Sequence, residues 1–271
     1  MAITKTLDVN AALIQSSFHK AKAKYTEDAL KDFSGWQNDK DHFRLENALK
    51  VIAETDTIAQ QVAPELVDLI NNYSLREIIE RCQRQGDNHN ASYYKREESQ
   101  TKILAIKAVL FSPDTPGLKK ALLTLFKDKS DETSELRLEV VKAFNTVKID
   151  EDVINMLTSA LSTDKELDVR LESVKLLKRE KVNSNEIIDI FSNHLGIKNS
   201  EKKVEIVMVE ALAQMGAKAL RAVPVLANEL EETQRMISSD AYPSKPYGYR
   251  DVLKRAIKDI CKAADLQLQK T

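Results

Sequence analysis

The side chains able to do chemistry are few and dispersed. The histidines are His19, His42, His89 and His194, and the cysteines are Cys82 and Cys261. There is no His-Glu-x-x-His and no Cys-x-x-Cys, so no metal-binding spacing is present. The two thiols are far apart in sequence and read as reduced, buried structural residues, not as a disulfide framework. Asp39, Asp41 and His42 stand close enough to approach one another, and they read as an exposed cap cluster. Six scattered glycines leave no phosphate-cradling loop. The sequence therefore predicts no catalytic residue, no metal and no cofactor.

Groups suited to binding are more concentrated. Five of the seven tyrosines fall in two polar stretches, 84–96 and 233–249. The first holds Tyr93 and Tyr94. The second holds Tyr242, Tyr247 and Tyr249 and runs into Arg250, Lys254 and Arg255. Both read as oversized loops projecting from one edge of the molecule, and Tyr offers amphipathic contact area at low entropic cost. A second pattern is cationic. Lys107, Lys142 and Lys175 occupy equivalent places in successive helices, followed by Glu210 and then Arg255. Such a column would attract an acidic segment at modest strength.

The elements that position these groups come from a repeat. Charged anchors at Lys102, Arg137, Arg170 and Glu205 each open an amphipathic run, at spacings of 35, 33 and 35 residues. Between them lie further apolar runs ending at Phe126, Leu161, Leu195 and Leu230. Apolar residues recur at three- and four-residue steps, which predicts helices. Each unit reads as helix A, turn, helix B, turn. One amphipathic pair cannot bury its apolar face alone, so stacking of pairs is expected. Ser134, Asp168 and Ser200 stand where N-caps would serve. Arg137 and Arg170 are expected to pair with acids such as Asp131 and Asp168.

Val169-Arg170 through Val174 and Leu177, with Ala222-Val223-Pro224-Val225-Leu226 and the Met215-Gly216-Ala217 joint, resembles HEAT repeats over about residues 100–265. The period is short against the ~40–47 residues usual for that family. The resemblance implies an all-α, right-handed α-solenoid of roughly 5–6 helix pairs whose B helices line a concave face. It implies one solenoid domain over 1–271, with irregular capping helices at 1–72, repeats at 73–265 and a tail at 266–271. Arg44-Leu45-Glu46 continues the pattern upstream, an extra helix is expected near Pro64 to Asn71, and Trp36 reads as a cap after helices in 11–33. The His-Glu pairs of iron-dependent HEAT-like hydroxylases are missing. The chain resembles in architecture the HEAT-like alkylation-repair glycosylases, but those use several tryptophans over a basic groove, and here there is one Trp.

Composition agrees with a binding protein. Lys plus Arg is 41 and Asp plus Glu is 42, a net charge of −1. That balance argues against a global grip on nucleic acid. No run of about 20 apolar residues exists to cross a membrane. The first 25 residues show no apolar signal core, so a cytoplasmic location is expected. The expected role is a non-enzymatic scaffold for a protein or peptide, held on the concave face or at the tyrosine loops. A nucleic-acid module and a lyase- or chaperone-like HEAT protein are the alternatives.

Overall fold

A computed structural model describes residues 16, 17, 20, 39–54, 56–127, 134–179, 184–195, 202–239 and 246–269. Trp36, most of the expected helices in 11–33, the expected acid partner Asp131, the expected cap Ser200, and Tyr242 lie outside the described residues. All regular structure among the described residues is helical. Contacts divide the chain into two compact units, split between Lys148 and Ile149.

In the first unit the helices are α1 (Asp39–Ala53), α2 (Asp56–Gln61), α3 (Ala63–Asn72), α4 (Arg76–Arg84), α5 (Asn88–Val109), α6 (Leu118–Phe126) and α7 (Ser134–Ala143). The helix expected near Pro64 is α3, with Pro64 in its first turn, where a missing N–H is harmless. The Arg-Leu-Glu pattern at 44–46 lies in α1, whose Leu45, Leu49 and Ile52 are buried. The long α5 packs on α1, α3, α4 and α7.

The start of α5 corrects the reading of 84–96 as a loop. Only a short turn separates α4 from α5. Gly86 takes φ +75°, a left-handed conformation open to glycine, and turns the chain. The Asp87 carboxylate then accepts from the Asn90 backbone N–H at 3.1 Å and from its Nδ2 at 2.6 Å, which caps the helix. The polar run Asp87 to Asn90 reads as a loop by composition but works as a helix cap. Tyr93 and Tyr94 are consequently helical, and their rings meet edge to face at 5.7 Å. Tyr94 is buried, whereas Tyr93 is 40% exposed.

In the second unit the helices are α8 (Glu151–Thr163), α9 (Leu167–Arg179), α10 (Ser184–His194), α11 (Lys202–Gln214), a 3-10 helix Gly216–Ala222, α12 (Val223–Ser238) and α13 (Tyr247–Leu268). First and second helices pair as α8 on α9, α10 on α11 and α12 on α13. Second helices also pack on one another, α9 on α11 and α11 on α13, as α5 does on α7 in the first unit. Val174, Leu177, Phe191, Met208, Leu212 and Leu253 are fully buried in the resulting core.

Here too the loop reading contracts. α12 continues to Ser238 and α13 begins at Tyr247, after Pro246. The connection is residues 239–246, so Tyr247 and Tyr249 are helical. Asp168 lies inside the first turn of α9. The turn before α9 is instead fixed by Asp164, whose Oδ1 accepts from the Glu166 N–H at 3.0 Å.

The Met215-Gly216-Ala217 joint has a sharp requirement. Gly216 has φ +57°, and an added Cβ would sit 3.4 Å from the Ala263 side chain on α13. Replacing Gly216 with Ala is expected to lower unfolding free energy by about 1–2 kcal/mol, from left-handed strain plus that close approach. Urea unfolding measures it, and an unchanged midpoint would contradict the joint geometry.

Candidate functional site

The four anchors open, or lie within, second helices, and the structure shows why charged residues stand there. In the first unit the Lys102 ammonium is 2.5 Å from Glu98 Oε1. The other oxygen of Glu98 accepts from the Leu75 backbone N–H at 2.8 Å, which ties the start of α4 to α5. Arg137 is 3% exposed. In the second unit Arg170 Nη1 donates to the carbonyls of Asp164 at 2.6 Å and Lys165 at 2.9 Å, satisfying the turn before its own helix. Backbone carbonyls of that turn are thus among the contacts that hold Arg170.

Glu205 is the most buried charge among the described residues, at 1% exposure. Lys202, one turn earlier on α11, reaches its Oε2 at 2.7 Å. The same ammonium lies 3.9 Å from Glu229 on α12 and 4.6 Å from the centre of the Tyr249 ring on α13. Tyr249 is 2% exposed. Burial, with help from the Glu205 and Glu229 charges, drives its hydroxyl pKa well above the ordinary value. No hydrogen bond of normal length and angle reaches that hydroxyl among the described residues. Burial also raises Glu229, and Lys202 opposes the rise. On α10, burial lowers His194, with Glu205 opposing and Arg170 assisting. α9 through α13 each contribute a member of this polar cluster.

The cluster was not legible as a unit. Tyr249 reads as a loop residue in sequence, and Glu205 as one anchor among four. Glu229 carries the best signal, because it interrupts the Leu226, Leu230, Thr233 face, where an acid must find a partner. Chemically the group can hold and share protons. Glu205 and Tyr249 are buried and Glu229 is 12% exposed, while Lys202, at 40% side-chain exposure, keeps one side of the cluster open to solvent. Among the described residues no group of three or more His, Cys, Asp or Glu could hold a metal ion. No helix among them is long and apolar enough to cross a membrane.

The residues expected to bind a partner fall in different places. In the first unit Lys107 is exposed on α5, and Lys142 pairs with Glu139 on α7 at 2.9 Å. In the second unit Lys175 pairs with Glu172 at 3.0 Å, and Arg255 is exposed on α13. Lys142 and Lys175 therefore carry an acid beside them, which dilutes the expected cationic column. Tyr94 and Tyr249 offer no surface. Tyr247 does, at 50% exposure, with the Arg250 guanidinium 5.3 Å from its ring centre. Arg250 also meets Asp251 at 2.8 Å, so its orientation is held. No family model, curated protein or solved structure matches the chain, and no family is assigned to it.

Proposed function

We propose that the chain is a non-enzymatic scaffold, a right-handed α-solenoid of HEAT-like helix pairs that holds a protein or peptide segment. The observation that carries this reading is contact at one repeat length within each unit. Gln100 on α5 donates to Glu135 on α7 at 2.8 Å, 35 residues on. Arg221 donates to the Asn185 carbonyl, 36 residues back, and meets Asp189 at 2.9 Å. Side chains one period apart touch directly, as stacked pairs require. Such arrays bind on exposed helix faces and edges, so no catalytic constellation is needed.

The contact surface we propose is Tyr247 with Arg250 and Arg255 in the second unit, and Tyr93 with Lys107 in the first. An exposed ring with a cation held on its face is a preorganised anchor, and aromatic and Arg residues dominate binding energy at interfaces. Replacing Tyr247 with Ser and Arg250 with Ala together is expected to weaken a captured partner by at least ~10-fold, with little change in melting temperature. Titration calorimetry at two salt concentrations checks this. Unchanged affinity would exclude this edge. A steep salt dependence, scaling with several phosphate contacts, would identify the alternative, a nucleic acid.

A further inference from the structure

The outer face of α13 carries groups that the fold itself does not use. Tyr249, Leu253, Ala256, Ile260 and Ala264 are buried and define the inward face. Three- and four-residue steps keep to one face of a helix. On the opposite side such steps read Tyr247, Asp251, Arg255, Lys258, Lys262 and Leu266, all exposed. Lys254 is exposed beside them. The line is apolar at its ends, where Tyr247 is 50% and Leu266 49% exposed, and cationic in its middle.

Pairing within the molecule does not consume these cations. Asp251 is held by Arg250 at 2.8 Å. On α12, Arg235 holds both Glu231 and Glu232 at 2.7 Å. Among the described residues no ion pair engages Lys254, Arg255, Lys258 or Lys262. The 3-10 helix packed on α13 carries Lys218 and Arg221 and no acid. α11, also packed on α13, adds exposed Lys203 and Glu210, which are opposite in sign. The helix dipole does not account for the cations either, because none lies in the last turn of α13.

We propose that this line seats an acidic polypeptide segment, with carboxylates over Arg255, Lys258 and Lys262 and apolar residues against Tyr247 and Leu266. The proposal rests on the scaffold reading and names the chemistry of the partner. Four residues of helix advance about 6 Å, so a partner helix with acids four residues apart meets Lys258 and Lys262 in register. The net charge of the chain is −1, so attraction of an anion must come from this local line and not from the whole molecule. Asp259 and Asp265, exposed on the same helix, select among polyanions. A polypeptide can set a neutral or basic residue opposite each. A nucleic-acid strand presents a phosphate at every step and is repelled at both.

The test uses the full chain and labelled poly-glutamate as the probe, followed by fluorescence anisotropy at low salt, with poly-glutamine and oligothymidylate for comparison. We expect poly-glutamate to bind, poly-glutamine not to bind, and oligothymidylate to bind more weakly than poly-glutamate. Replacing Lys254, Lys258 and Lys262 together with Gln keeps helix propensity and should weaken poly-glutamate by at least ~10-fold. The same change at Lys120, Lys127 and Lys148, exposed in the first unit, should leave binding as it was. Binding should fall as salt shortens the screening length from about 10 Å at 0.1 M to about 3 Å at 1 M. No binding of poly-glutamate, equal binding by the two triple variants, or tighter binding of oligothymidylate overturns the proposal. If the α13 variant does not fold, carbodiimide coupling of poly-glutamate to the wild-type chain decides. Adducts concentrated at Lys254, Lys258 and Lys262 support the seat, and adducts spread evenly over the exposed lysines overturn it. These lysines are intact in the Tyr247→Ser, Arg250→Ala protein, whose loss of a captured partner tests the scaffold reading, so either reading can fail alone.

Discussion

Replacing Phe191 with alanine is expected to lower the unfolding free energy of the second unit by about 3–5 kcal/mol. Phe191 is fully buried on α10, which packs on α11 and on the 3-10 helix. Its ring fills space that backbone hydrogen bonds cannot hold closed, so truncation loses both transfer free energy and packing contacts. Leu220, on the same 3-10 helix but 48% exposed, is the control. Leu220→Ala should change stability by no more than about 0.5 kcal/mol. Urea unfolding of the three proteins measures both. A loss below about 1 kcal/mol for Phe191→Ala would mean that α10 is not seated as described.

The second large effect concerns charge. Lys202→Met keeps an unbranched apolar stem for the Tyr249 ring but removes the cation shared by two acids. Breaking a buried ion pair by deleting one partner leaves the other uncompensated, at about 3–5 kcal/mol when both are enclosed. Lys202 is 40% exposed, so solvent screens part of this, and a loss of about 2–3 kcal/mol is expected near neutral pH. The loss should shrink in acid, because protonation of Glu229, whose carboxyl burial raises, removes one of the charges left behind. Unfolding curves near pH 7 and near pH 5 distinguish the causes. An equal loss at both would assign the effect to packing on Tyr249 and not to charge.

Much of the helical organisation can be read from residue order, because three- and four-residue spacing of Leu, Val and Ile sets which face is buried. The anchors at 102, 137, 170 and 205 likewise mark second helices, since a charge must sit where turn carbonyls or an acid can meet it. Polar composition misled at two places. Asp87 to Asn90 has the make-up of a loop, yet one carboxylate aimed at an N–H starts α5 there. Tyr249 follows a proline-containing stretch, yet it belongs to a helix and lies inside. Its place depends on Glu205 and Glu229 from two other helices, and no local pattern encodes that meeting. The Tyr247–Arg250 pair was legible as neighbours in sequence, because three residues apart on a helix is one face.

The different signs of the anchors bear on how these helix pairs avoid assembling wrongly. Successive helix pairs of similar length and apolar pattern invite mispairing, in which one pair docks where its neighbour belongs or exchanges with a second chain. Hydrophobic faces alone distinguish such registers poorly. Arg170 satisfies two carbonyls of the turn before α9, while Glu205, its counterpart on α11, needs an ammonium. Were α11 to take the place of α9, Glu205 would present a carboxylate to carbonyl oxygens, and Arg170 would stand beside Lys202. Both contacts repel. These two charges thus tell α9 and α11 apart, giving each helix an address that its apolar face lacks.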